Sequence, residues 1–139
     1  MRGWIIDSSL ALSWALPDED SGAAERFLES VPSTDKLWVP ALWWYEISNG
    51  LAVAERRRRI TEAEGQRAVE IFRRLPLETD LSSGPETLWR LRSLAKEHEL
   101  SAYDAAYLDL AERRDLALAS LDSSLNRAAR TAGIEVFKP

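Results

Sequence analysis

The chain has 139 residues, a formal net charge of -5 and no cysteine. That length suits a single domain, residues 1–139, burying about 68% of its unfolded surface. A disulfide framework and a thiolate metal site are excluded, and the negative charge excludes a protein that holds nucleic acid by bulk attraction alone.

In chain order, Trp4-Ile5-Ile6 is a short apolar run ending in Asp7-Ser8-Ser9. It reads as a buried strand turning into a helix capped by Asp7 or Ser8. The helix continues from Ala11 to Leu16 and stops at Pro17, and the acidic loop Asp18-Glu19-Asp20 is expected to be solvated. Ala23 to Val31 is an amphipathic helix with Ala24, Phe27, Leu28 and Val31 on one face.

Leu37-Trp38-Val39 is a second strand, after which Pro40 is expected to start a long helix that runs into Arg56-Arg57-Arg58-Arg59. Thr61-Glu62-Ala63-Glu64 has the spacing of a capping box and opens another helix, to about Arg74. Leu75-Pro76-Leu77 is a weak strand signal, and Ser83-Gly84-Pro85-Glu86 precedes a helix through Leu88, Leu91 and Leu94. A helix begins at Ser101-Ala102-Tyr103-Asp104 and ends near Arg113-Arg114. Leu116 to Ala119 is a strand closed by Ser120-Leu121-Asp122. The last helix, from Ser123 to about Ala132, meets a C-cap at Gly133, and Ile134 to Phe137 alternates as an edge strand.

Short apolar strands alternating with helices imply an α/β chain with a parallel sheet covered on both faces. Ligands of such sheets bind beyond the carboxyl ends of the strands, where strand order reverses. Asp7 and Asp122 fall at such ends. No run approaches the length of a membrane span, and Asp7 interrupts the N-terminal apolar run too early for a signal peptide. The expectation is a cytoplasmic protein without a membrane contact.

Four acids stand in apolar settings: Asp7, Glu46, Asp104 and Asp122. An ionised carboxylate there is costly unless something compensates it. Helix capping alone accounts for Asp7 and Asp122, and Asp104 lies three residues after Ser101 in the manner of a capping box. Glu46, flanked by Trp43, Trp44, Tyr45 and Ile47, has no cap to explain it; a solvent-facing position or a buried arginine pair are its simple accounts. Taken jointly, distant acids that a doubly wound sheet brings together suit a hard cation such as Mg²⁺, which takes oxygen ligands and orients phosphate.

The ordered set Ile6-Asp7-Ser8-Ser9, Pro40 to Asn49, Leu100 to Tyr107 and Ala119 to Asp122 resembles the PIN-domain ribonucleases, in particular the VapC-like toxins of toxin–antitoxin modules. The resemblance spans essentially the whole chain. It implies a three-layer α/β/α sandwich with a mostly parallel sheet of order 3-2-1-4-5, and catalytic, metal-binding roles for Asp7, Glu46, Asp104 and Asp122. It further implies Mg²⁺- or Mn²⁺-dependent cleavage of RNA, a homodimer, and silencing by a cognate antitoxin. Ser8, Asn49 and Ser120 are candidates for orienting the acids from outside. Ser120 departs from the threonine often found in the family but keeps a hydroxyl.

A catalytically silent PIN scaffold that binds antitoxin or RNA is the competing reading, and retention of all four acids argues against it. Haloacid-dehalogenase phosphatases are excluded because their Asp-x-Asp is Asp7-Ser8-Ser9 here, and receiver domains because Lys138 lies too near the terminus. Arginine supplies 15 of the 18 basic residues, for which a GC-rich coding bias is the simpler account than phosphate binding. Arg56 to Arg59 could track RNA phosphates, but a helix C-terminus favours basic residues anyway. Trp43 and Trp44 suit packing better than base stacking. His98 sits at a polar helix end and is no base candidate, and Asp109 points to a different helix face from Asp104.

Overall fold

The computed structural model describes residues 3–17 and 22–138. The acidic loop Asp18 to Asp20 lies outside the described residues. The apolar run after Gly3 forms β1 (Gly3–Ile6), in which Ile5 and Ile6 are fully buried. Such a run, covered on both faces, is the signature of an inner parallel strand. It pairs in parallel with β2 (Lys36–Pro40) on one side and β4 (Ala117–Ala119) on the other. β3 (Leu77–Asp80) adds outside β2, giving the order β3-β2-β1-β4. Because all pairings are parallel, every strand delivers its C-terminus to the same edge.

Helices α1 (Ser8–Ala15) and α2 (Gly22–Ser30) connect β1 to β2; α3 (Leu42–Arg56) and α4 (Glu62–Arg74) connect β2 to β3. Helices α5 (Pro85–His98) and α6 (Ala102–Arg114) return the chain to β4, and α7 (Ser123–Thr131) follows. The first two crossovers move across the sheet in one direction and the third moves back. Right-handed connections therefore put them on opposite faces, which gives three α/β/α layers. The core lies on both faces of β1, with Leu10, Phe27 and Trp43 among its fully buried side chains on α1, α2 and α3, and Tyr107 and Leu108 on α6.

Three expectations change. The fifth strand of the 3-2-1-4-5 order is reduced to a single parallel bridge, Leu118 to Val136, outside the four-stranded sheet. Its partner β4 is only three residues long, so the ladder closes after two bonds, Leu118 N–H to Glu135 O and Phe137 N–H to Leu118 O. Pro40 ends β2 and α3 begins at Leu42. A proline drives the residue before it into extended backbone, so Val39-Pro40 prolongs the strand. β3 starts at Leu77, two residues later than the sequence signal, because pairing of Leu77 to Asp80 with Leu37 to Pro40 overrides a weak local pattern.

The capping box at Thr61 is present in full: Thr61 Oγ1 accepts from Glu64 N–H and Glu64 Oε1 accepts from Thr61 N–H. Gly133 closes α7 with φ 79°, and Arg58, Glu99 and Asp115 adopt the same left-handed conformation after α3, α5 and α6. Each is followed by an N–H bonded five residues back, from Arg59, Leu100, Leu116 and Ile134. These are Schellman closures, three of them without glycine.

Candidate active site

Backbone pairing builds the site from the strand ends. Asp7 follows β1, and its N–H donates to Ala119 O at 3.0 Å, extending the β1–β4 ladder by one residue. That step sets Ser120 beside Asp7. Asp7 occupies the N-cap position of α1 but makes no side-chain cap. Instead its Oδ2 accepts from Ser120 Oγ at 2.6 Å and Ser9 Oγ at 2.7 Å. Ser120 Oγ in turn accepts from Asp122 N–H at 2.9 Å. Asp122 does cap α7: its Oδ1 accepts from the N–H groups of Ser124 at 2.9 Å and Leu125 at 3.2 Å.

The other two acids come from helices. Glu46 lies in the second turn of α3, half-buried, and its Oε1 accepts from the Tyr107 hydroxyl at 2.5 Å. The same hydroxyl accepts from Ser8 N–H at 3.3 Å. Asp104 stands in the first turn of α6, where its N–H donates to Ser101 Oγ at 3.1 Å. Residues three apart share a helix face, so Asp104 and Tyr107 are on one side of α6. Hydrogen bonds thus run from Glu46 through Tyr107 to Ser8, next to Asp7, and from Asp7 through Ser120 to Asp122.

The electrostatics agree that the acids are neighbours. Burial, reinforced by the charge of Asp122, holds Asp7 above the usual carboxylate range although two hydroxyls pull it down. Burial also raises Glu46, against the Tyr107 hydrogen bond and with the charges of Asp7 and Asp104 adding to it. Asp104 is raised by burial and then by Asp122 and Asp7. Tyr107 is itself held far above the ordinary phenol by burial and by the negative charge around it. Among the described residues none of the four acids forms a salt bridge. Neither do any three acidic or histidine side chains among them already close on one ion-sized position, so a shared cation requires at least some of the acids to swing inward.

The outer candidates divide. Ser120 bonds Asp7 directly, and Ser8 contributes its amide to Tyr107 and its hydroxyl to the field at Glu46. Asn49 is exposed, and among the described residues no hydrogen bond joins it to Glu46. Two groups escaped the sequence reading: Ser9, whose Oγ also accepts from Leu121 N–H at 3.1 Å, and Tyr107. Tyr107 was findable, being three residues after Asp104 in the apolar stretch Ala105 to Leu108, since a buried phenol requires a partner.

The remaining candidates have structural explanations. Trp43 is fully buried against Phe72, and Trp44 donates to Thr79 Oγ1 at 3.0 Å. Arg56 ends α3 and Arg57 to Arg59 form an exposed turn. His98 stands 3.8 Å from Glu97 at the end of α5. Asp109 is buried between Arg90 and Arg113, away from the four acids.

The PIN-domain family profile matches residues 4–131. This chain belongs to the PIN-domain family. Among curated relatives, ribonuclease VapC9 of Mycobacterium tuberculosis is 35% identical over 123 residues, 88% of this chain and 87% of the relative. Solved PIN structures share the fold. VapC20 of M. tuberculosis, described as a sarcin-ricin loop cleaving toxin, superposes with a TM-score of 0.67 at 16% identity, covering 98% of this chain and 99% of that one. A toxin–antitoxin complex from Klebsiella pneumoniae gives 0.63 at 18% identity, covering 97% and 96%. No helix among the described residues of this PIN-domain protein is long and apolar enough to cross a membrane.

Proposed function

We propose that this PIN-domain chain, as a single domain, is a divalent-metal-dependent endoribonuclease cleaving RNA phosphodiester bonds, and the cytoplasmic toxin of a toxin–antitoxin pair. The observation that carries the reading is the gathering of four acids from four separate segments with no cationic side chain among the described residues to neutralise them. Buried and half-buried like charges of this kind are costly, and perturbed groups cluster at functional sites. The VapC ribonucleases among the relatives supply the reaction class.

The donor set fits Mg²⁺ or Mn²⁺. It is all oxygen, and the hydrogen bonds converge on one oxygen of each of three acids: Asp7 Oδ2, Glu46 Oε1 and Asp122 Oδ1. One oxygen per acid suits a small ion that keeps several waters and takes few carboxylates. Asp7, Glu46, Asp104 and Asp122 would hold it. When bound, the ion orients the scissile phosphate, lowers the pKa of water and neutralises charge on the leaving oxygen.

The chain's own groups do the rest. Ser9 and Ser120 fix the Asp7 rotamer, and the α7 N-terminus fixes Asp122. Without a cation, the crowded acids repel a phosphodiester, so substrate entry and metal loading are linked. Exposed Leu88 and Trp89 on α5, which has no fully buried residue, support a homodimer through that helix. An apolar groove of about 500 Å³ between α3 and α4, lined by Trp44, Ile47, Leu51, Val69 and Phe72, supports docking of an antitoxin segment close to Glu46.

The test is RNA digestion by the purified protein with Mg²⁺, with Mn²⁺ and with chelator. Cleavage is expected with either metal, none with chelator, and none in Asp7→Asn. Metal-independent cleavage, or an active Asp7→Asn, refutes the proposal.

A further inference from the structure

The phenol of Tyr107 is fully buried, yet its oxygen is the meeting point of three elements: α6, which carries it; α3, through Glu46 at 2.5 Å; and the first residue of α1, through Ser8 N–H at 3.3 Å. Ser8 follows Asp7 directly, and Asp104 sits one turn before Tyr107. One hydroxyl therefore ties together the segments bearing three of the four acids. Its donor is spent on Glu46 and its acceptor on Ser8, so it points in one sense only. Glu46, in contrast, is a long, half-buried side chain, and among the described residues the Tyr107 hydroxyl is its short hydrogen-bond partner, with the Ser8 hydroxyl as a second, weaker influence.

We propose that Tyr107 is a positioning residue: its hydroxyl holds Glu46 in the rotamer from which the free oxygen reaches a divalent cation, and locks α3 to the Asp7 turn. This rests on the metal-site reading above and deepens it. Groups that orient a ligand from behind are commonly worth 10–100-fold in metal affinity. The phenol ring fills the same core space in Tyr107→Phe, so only the hydroxyl is lost.

The experiment is Mn²⁺ binding by calorimetry on the full chain without RNA, for wild type, Tyr107→Phe, Glu46→Gln and the double variant, with thermal midpoints alongside. Tyr107→Phe is expected to bind Mn²⁺ roughly tenfold more weakly, and added Mn²⁺ is expected to restore its cleavage rate. In the Glu46→Gln background the same change should have no further effect, because the phenol acts through that carboxylate. Wild-type affinity in Tyr107→Phe, or an equal loss in both backgrounds, overturns the proposal while the metal site stands. Failure of the wild type to bind Mn²⁺ sinks the metal site itself.

A second readout leaves Tyr107 in place, in case its phenylalanine variant does not fold. A phenol 2.5 Å from a carboxylate gives a downfield, slowly exchanging hydroxyl proton in NMR spectra of the metal-free protein, and Glu46→Gln should shift it upfield. Absence of that signal in wild type, or its indifference to Glu46→Gln, also overturns the proposal.

Discussion

Two groups of buried or half-buried acids lie near the C-terminal edge of the same sheet, and they are handled in opposite ways. Asp80 ends β3 and Asp109 sits inside α6; both are almost inaccessible. Arg113 bridges them, at 2.7 Å from Asp80 Oδ2 and 2.8 Å from Asp109 Oδ2, and Arg90 adds a bond of 2.9 Å to Asp109 Oδ1. Burial raises Asp80, but the hydrogen bonds and charge of Arg113 outweigh it, and the net shift is downward. In the other group burial and mutual repulsion win, and Asp7, Glu46 and Asp104 are all held above the usual carboxylate range. One group carries its counter-charge within the chain. The other has none among the described residues, and the proposed cation would supply it.

The sharpest way to break this contrast is to neutralise one acid from each group. Asp7→Asn should lower RNA cleavage by at least about 10²–10³-fold while the melting temperature holds or rises, because a buried anion without a counter-charge is removed. Asp109→Asn should do the reverse. It strips two arginines of their shared partner, and breaking a buried pair from one side costs about 3–5 kcal/mol, reduced here toward about 2–3 because both guanidiniums are partly exposed. Cleavage per folded molecule should be unchanged. Denaturant unfolding paired with single-turnover cleavage separates the two. If both variants lose stability alike, or both lose cleavage alike, the division fails.

Acid and base titration of stability gives a smaller effect with a definite sign. A carboxyl lowered on folding, as Asp80 is, adds stability above its unfolded pKa of 3.8 and loses it as pH falls through the still lower folded value. Carboxyls raised on folding act oppositely: the folded protein binds more protons than the unfolded chain between the two pKa values, so stability falls as pH rises through that window. For Asp7 and Asp104 the window opens at 3.8, and for Glu46 at 4.5. Metal-free protein should therefore be most stable at mildly acidic pH and lose stability toward neutrality. Mn²⁺ should abolish the neutral-side loss. Thermal melts from pH 3 to 8, with chelator and with Mn²⁺, check both limbs, and a neutral-side loss indifferent to Mn²⁺ would contradict the metal site.

The sequence made one of these groups much more legible than the other. Asp7 and Asp122 announced themselves by position, since an acid within a few residues after a short apolar strand lies near the carboxyl edge of a parallel sheet. Glu46 stood out because nothing local explained it. The Asp80–Arg113–Asp109 group has no such mark. Glu78-Thr79-Asp80 shows no apolar pattern, and its place beside α6 exists only once β3 has paired with β2. Asp109 was seen to leave the Asp104 face, but its partner Arg90 comes from α5. Tyr107 fell between: its helix face was predictable, whereas the meeting of that face with Glu46, 61 residues earlier, depended on how α3 crosses the sheet. The fifth strand was overdrawn because alternation in Ile134 to Phe137 said nothing of how short β4 would be.

The finest probe of the contrast is Ser120, which touches two acids at once: its hydroxyl donates to Asp7 Oδ2 and accepts from Asp122 N–H. If this hydroxyl matters only as a donor that fixes Asp7, threonine should serve equally well. The added methyl enters a buried position, where one extra carbon costs about 1 kcal/mol of packing, so Ser120→Thr should lower the melting temperature by a few degrees and leave Mn²⁺ affinity within about twofold. Ser120→Ala should do the opposite, leaving packing nearly intact but Asp7 held by Ser9 alone, with Mn²⁺ binding weakened about tenfold. Stability and metal affinity measured on both variants place the hydroxyl in one role or the other. A threonine variant that loses Mn²⁺ as badly as alanine would mean that the shape of the pocket, and not the donor, governs how Asp7 is presented.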